Sequence, residues 1–129
     1  MKVLVVSPDP KSRQAMGLAV RGIRRALGAA SIELIEASDG ERGIALARSE
    51  VPDVIVADEI ASRAGAFALA HDLRNDAAPF PGVIVILLDR PHDAWLARWS
   101  GADAWFDKPV DPFALADRVL ELTRAKETA

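Results

Sequence analysis

The chain has 129 residues, 50% of them apolar and 27% charged, with a formal net charge of −3; that suits one globular domain and leaves no room for two. It contains no cysteine, which excludes disulfides, thiolate nucleophiles and Cys-ligated metal centres. The acidic balance, with a pI near 5.3, argues against nucleic-acid or membrane-surface binding by bulk charge, and no apolar run reaches the roughly 18 residues of a membrane span.

Met1–Val6 runs into Pro8 too early to form a signal-peptide core, so a cytoplasmic location is expected. Lys2–Val6 is the first aliphatic, β-branched run and predicts a strand. A helix begins near Pro10, with Met16, Val20, Ile23 and Leu27 on one face. Ile32–Ala37 predicts the second strand, and Ile44 and Ala47 mark a helix after Asp39-Gly40. Asp53–Ala57 predicts the third strand, followed by a helix over about Ala64–Asn75 that ends before the turn-rich Pro79-Phe80-Pro81-Gly82. Val83–Leu88 predicts the fourth strand, and Asp93–Ser100 a helix stopped by Gly101 at its C′ position. Ala104–Phe106 predicts the fifth strand. The last helix starts after Asp111 as N-cap with Pro112 at N1, and buries Leu115, Val119 and Leu122. Residues 124–129 read as a polar tail that frays.

Five strands alternating with five helices predict a doubly wound α/β parallel sheet spanning one domain, residues 1–129. In such sheets ligands sit at the carboxyl ends of the strands. The sequence places Ser7, Pro8 and Asp9 after strand one, and Asp58 and Glu59 after strand three. Asp89 and Arg90 follow strand four, and Asp107 with Lys108-Pro109 follows strand five. Each charge alone reads as a solvated loop residue. Convergence of Asp9, Asp58 and Lys108 on one end of the sheet is what points to a site.

Val3-Leu4-Val5-Val6-Ser7-Pro8-Asp9-Pro10, Pro52–Asp58 and Gly101-Ala102-Asp103-Ala104-Trp105-Phe106-Asp107-Lys108-Pro109 together resemble the receiver domain of bacterial response regulators over essentially the whole chain. The resemblance implies a five-stranded sheet in the order 2-1-3-4-5, with Asp58 as candidate phosphoacceptor and Lys108 as the charge-sensing lysine. It also implies a cis peptide at Pro109, Trp105 as the switch aromatic, and a histidine kinase, phosphotransfer protein or output protein as partner. Two adjacent acidic residues that hold Mg²⁺ in the family fall on Ser7 and Pro8 here, leaving Asp9 as the residual acidic residue of the turn. The hydroxyl residue ending strand four falls within Ile86–Leu88, and Leu87 takes its place.

Mg²⁺ requires octahedral oxygen donors, usually one or two carboxylates with waters. Pro8 supplies no side-chain oxygen and Ser7 only a neutral one. No cofactor is therefore expected beyond weak Mg²⁺, on Asp9, Asp58 and the Ile60 main chain. Lys108 most simply pairs with Asp58 in a constitutive ion pair, so the expected function is an atypical receiver acting as a protein-interaction module. A working receiver phosphorylated on Asp58 is the alternative. A flavodoxin-like small-molecule binder or enzyme is the alternative of another class, weakened by prolines where a phosphate loop needs glycines.

Trp95 and Trp99, at i and i+4 on the fourth helix, share a face. The pair reads either as core packing or, with Trp105, as a candidate partner patch for a homodimer through helix four, strand five and helix five. Arg21, Arg24 and Arg25 read as cations opposing a helix dipole, without nucleic acid as partner. His71 and His92 lack metal-ligand spacing.

Overall fold

The computed structural model describes residues 1–26, 32–60 and 65–128. The elements alternate along the chain as β1 (Lys2–Val6), α1 (Pro10–Ala26), β2 (Glu33–Ala37), α2 (Gly40–Glu50), β3 (Val54–Asp58), α3 (Ala66–Arg74), β4 (Val83–Leu88), α4 (Ala94–Ser100), β5 (Ala104–Asp107) and α5 (Pro112–Thr128). All strands are parallel, in the order β2-β1-β3-β4-β5.

The unbroken apolar runs of β1, β3 and β4 follow from the two-residue period of a strand. Val3, Val5, Val54, Val56, Val85 and Leu87 point into one core layer with Met16 and Ile23 of α1 and Leu115 and Val119 of α5. Their alternates Leu4, Ile55, Ile84, Ile86 and Leu88 point into the opposite layer with Ala47 of α2, Leu69 and Leu73 of α3 and Ala97 of α4. Both faces of the central strands are buried, so polar side chains can emerge only at their ends. β2 is an edge strand, and exposed Glu33 and Glu36 keep it from pairing with other sheets. Among the described residues no buried side-chain nitrogen or oxygen lacks a hydrogen-bond partner, and no helix is long and apolar enough to cross a membrane.

Several boundaries differ from the sequence expectation. Leu27 and Ala64 lie outside the described residues, and α3 is described from Ala66. β3 runs one residue further than expected, so Asp58 is its last residue, in register with Leu87. Leu122 is half-buried at the margin of the core. Residues 124–128 are helical: the Thr128 hydroxyl donates to the carbonyls of Arg124 and Ala125, closing the last turn.

Two glycines are required by close approach or backbone sign. A Cβ at Gly43 would come within 2.9 Å of Leu69 Cδ1 and 3.0 Å of Val6 Cγ2, so glycine there lets α2 lie close against β1 and α3 without displacing those side chains. Gly101 caps α4 with φ +90°, a left-handed conformation that favours glycine.

Arg74 ties the end of α3 to the start of β5. Its guanidinium donates to the carbonyls of Gly101 (3.0 Å), Phe80 (2.7 Å) and Gly82 (3.0 Å) and to Asp103 Oδ2 (2.7 Å). Asp103 Oδ2 also accepts from Ile84 N at 2.8 Å. Arg74→Ala removes all four bonds and leaves a partly buried carboxylate poorly paired. It should lower stability by about 2–3 kcal/mol, read as a reduced urea midpoint, whereas Arg74→Lys, a point donor, should recover only part of the loss.

Candidate functional site

The site lies at the carboxyl ends of β1, β3, β4 and β5, on the α1/α5 side of the sheet. Ser7 continues the parity of Val3 and Val5, and Asp58 that of Val54 and Val56, so both side chains emerge on this side. The Asp58 side chain has no exposed surface. Its Oδ1 accepts from Lys108 Nζ at 2.5 Å and its Oδ2 from the Ser7 hydroxyl at 2.8 Å. Lys108 Nζ also pairs with Asp89 Oδ1 at 2.6 Å and donates to the Glu59 carbonyl at 3.1 Å. An ammonium has three donors, and these three contacts use all of them. Burial pulls the Lys108 ammonium down, but the hydrogen bonds to Asp58 and Asp89 outweigh it and hold its pKa above the ordinary value.

The remaining sequence candidates fall around this cluster. Ser7 accepts from Asp9 N at 3.0 Å, and its carbonyl accepts from Arg13 at 3.0 Å. The Asp9 carboxylate turns into the first turn of α1, accepting from Lys11 N (3.0 Å) and the Ser12 hydroxyl (3.3 Å). It thus serves as an N-cap, apart from the Asp58 cluster. Pro8 and Ile60 line a small recess of about 220 Å³ beside Asp58. Leu87 is fully buried and its carbonyl accepts from Glu59 N at 2.8 Å. The Lys108–Pro109 peptide is cis. Among the described residues no group of three or more His, Asp or Glu side chains is placed to hold a metal ion.

Two members of this end of the sheet, Asp89 and Glu59, were placed at strand ends by the sequence but not counted among the converging residues. Asp89 follows Leu88 and so shares the side of Leu87; that parity, combined with its place at a strand end, is the signal that could have found it. Glu59 is buried, and its Oε2 accepts from Ala66 N (2.8 Å) and Phe67 N (3.3 Å) at the start of α3. Burial pushes its pKa up, with a smaller push from Asp58, against the lowering by the backbone N–H groups. No short-range pattern marks Glu59, because the residues that cap it lie seven and eight positions on.

Trp95 and Trp99 are exposed, at 64% and 58%. Trp99 stacks on His71 of α3, ring centroids 4.3 Å apart. Trp105 is half-buried against the α2/α3/α4 layer, with the Arg98 guanidinium 5.8 Å over its ring. Arg98 therefore covers Trp105, and the three tryptophans do not form one uninterrupted apolar patch.

A five-stranded sheet in this order, with an aspartate and a lysine meeting across the ends of β3 and β5, defines a receiver-type domain. No family model matches the chain. It is 32% identical over 125 residues to an uncharacterised response regulatory protein of Mycobacterium tuberculosis, covering 97% of this chain and 92% of that protein. Among solved structures, the receiver domain of Francisella response regulator 1452 is 27% identical with a TM-score of 0.73, covering 96% of this chain and 97% of that one. Chemotaxis response regulator CheY4 of Vibrio cholerae has the same fold, with a TM-score of 0.74 at 24% identity over 94% of this chain and 97% of that one. The chain belongs to the response regulator family, as a receiver domain.

The raised Lys108 pKa carries a definite sign. A cation stabilised in the folded state contributes fully below its ordinary pKa of 10.5 and loses that contribution as pH rises through the folded value. Lys108→Met should cost about 2–4 kcal/mol at pH 7, because it strands the buried Asp58 carboxylate. The gap between the two proteins should narrow above about pH 10.5, measured by denaturant unfolding across the alkaline range.

Proposed function

We propose that this receiver works in two-component signalling as a protein-interaction module, its state set by a bound partner rather than by an aspartyl phosphate. The observation that carries this reading is the double occupation of Asp58. One carboxylate oxygen is held by Lys108 and the other by Ser7, and the side chain is sealed from solvent. Phosphoryl transfer needs a nucleophilic oxygen facing the incoming phosphorus and cations to absorb charge on the equatorial oxygens.

The residues at the site do not fit Mg²⁺. The Ser7 hydroxyl spends its proton on Asp58, Pro8 offers no side-chain oxygen, and Asp9 is engaged by the first turn of α1. Asp58 alone falls short of the oxygen set the ion demands. The competing reading, a working phosphoacceptor whose metal is completed by Asp9, requires Asp9 to leave its cap and Ser7 to release Asp58. The domain on this view is a cytoplasmic signalling component and no enzyme.

Mass spectrometry after incubation with acetyl phosphate, with and without Mg²⁺, distinguishes the two. The expected result is no phosphoryl adduct on Asp58 and little change of tryptophan emission with millimolar Mg²⁺. An adduct lost in Asp58→Asn, or a saturable quench at sub-millimolar Mg²⁺, favours the working receiver.

The exposed rings of Trp95 and Trp99 support α4 as the partner-facing surface, including self-association through α4, β5 and α5. Exposed aromatics carry interface energy without carrying the core. Trp95→Ala should leave the melting temperature nearly unchanged and weaken self-association by about 2 kcal/mol, read by sedimentation. Trp99→Ala should show the same association loss plus a small stability loss of about 0.5–1.5 kcal/mol from the His71 stack. A large fall in melting temperature with unchanged association would overturn this assignment.

A further inference from the structure

At the amino ends of β3 and β4, the end of the sheet away from Asp58, a cleft of about 630 Å³ opens between the ends of α2 and α3 and the turn that leads into β4. It is larger than the recess of about 220 Å³ beside Asp58, and its volume suits one small organic molecule. Its walls are apolar, with Ala47 and Leu73 from the two helices and Ala78, Pro79 and Phe80 from the turn. They are also held in place. Phe80 N donates to the Leu73 carbonyl at 2.9 Å, the Arg74 guanidinium donates to the Phe80 carbonyl at 2.7 Å, and two prolines stiffen the turn on either side of Phe80. The cleft is therefore pre-formed, and the turn that the sequence marked only as a helix stop is its wall.

A second observation meets the cleft at its lip. Val51, the residue that ends α2, has φ 43° and ψ 64°, and it is the one non-glycine residue with positive φ among the described residues. A β-branched side chain pays a steric cost in that region, which glycine or asparagine enters readily. The helix end needs only the N–H that Val51 donates to the Ala47 carbonyl, and glycine would supply that as well. Nor does the core need the isopropyl group, which is 54% exposed and lines the cleft. A strained, exposed apolar side chain at the edge of an apolar cavity is placed to touch a ligand.

The charges around the cleft define the ligand further. Arg48 and Asp76 are the charged residues that line it, and they are matched to each other, Arg48 Nε to Asp76 Oδ2 at 3.0 Å and Nη2 to Oδ1 at 2.8 Å. An anionic ligand would have to take Arg48 from Asp76, and a cationic one would have to take Asp76 from Arg48. A guanidinium fixed in a bidentate pair keeps a flat face on which an aromatic ring stacks. We infer that this cleft binds a small, uncharged, flat aromatic molecule, seated between Leu73 and Phe80 under the lip formed by Val51 and the Arg48–Asp76 pair. This is a ligand site separate from the Asp58 cluster, and it stands whether or not Asp58 accepts a phosphoryl group.

The test titrates the full chain with N-phenyl-1-naphthylamine, an uncharged aromatic fluorophore, and with 1-anilinonaphthalene-8-sulfonate, a related aromatic amine that carries a negative charge. The neutral probe should show saturable emission enhancement with one site per chain, and should move the methyl resonances of Ala47, Val51, Leu73 and Ala78. The sulfonate should bind at least roughly tenfold more weakly, the expected effect of an unmatched charge in an apolar site. Ala78→Phe, which fills the cleft from its exposed wall, should abolish binding of the neutral probe with the fold retained by circular dichroism. Val51→Gly should weaken it several-fold while the melting temperature stays level or rises, because the strain goes with the side chain. Arg48→Ala should weaken it as well. No saturable binding of the neutral probe, methyl shifts confined to another surface such as that of Trp95 and Trp99, or tighter binding of the sulfonate overturns the inference. So does unchanged affinity in both Ala78→Phe and Val51→Gly.

Discussion

The carboxylate of Asp58 is removed from water, and that desolvation governs the end of the sheet around it. An isolated buried carboxylate would cost several kcal/mol and would give up its charge instead. Here protein groups replace the lost hydration on both oxygens: the ammonium of Lys108 on one, the hydroxyl of Ser7 on the other. Lys108 in turn needs acceptors for its other protons, and Asp89 and the Glu59 carbonyl supply them. Ser7, Asp58, Asp89 and Lys108 belong to the ends of four different strands. A single network of charge and hydrogen bonds thus closes four of the five strand ends.

That network also sets the charge balance at the end of the sheet. A site with three carboxylates and one lysine needs a divalent cation to offset mutual repulsion. With Ser7 and Pro8 after β1, one lysine faces two carboxylates and a carbonyl. Glu59 is kept out of this cluster by a different compensation, the N–H groups at the start of α3. Its raised pKa shows that these amides offset its burial incompletely.

Much of the fold was legible because a doubly covered parallel sheet leaves a strong mark: the continuous apolar runs Val3–Val6, Val54–Ala57 and Val83–Leu88 between helical periods. The Asp58–Lys108 pairing was legible from strand-end position. What escaped is of a different physical kind. Asp89 and Glu59 looked like ordinary loop charges, since their partners are brought close only by register and by the α3 start. Ser7 read as a weak metal ligand, whereas its geometry makes it a proton donor to Asp58. Asp9 read as a residual acidic residue of the site, and its capping role depends on side-chain direction, which spacing alone does not fix. The helical state of residues 124–128 was hidden by their polarity, because an exposed helix end needs no apolar face.

A constitutive network of this kind changes what signalling can mean in the domain. A ligand shifts an equilibrium only by its differential affinity for two states. On the proposed reading, with Asp58 held on both oxygens, the energetic difference between states would come from surfaces connected to the cluster. α1 is connected through the Ser7 carbonyl held by Arg13 and through the Asp9 cap, both a few residues from Asp58. The α4 side is connected through β5, where Trp105 under Arg98 lies three residues before Lys108. A partner bound beside one of these connections would then be felt at the other, and linkage makes such a coupling reciprocal. On that reading the Lys108 clasp on Asp58, which joins the ends of β3 and β5, is the contact through which the two faces would feel each other.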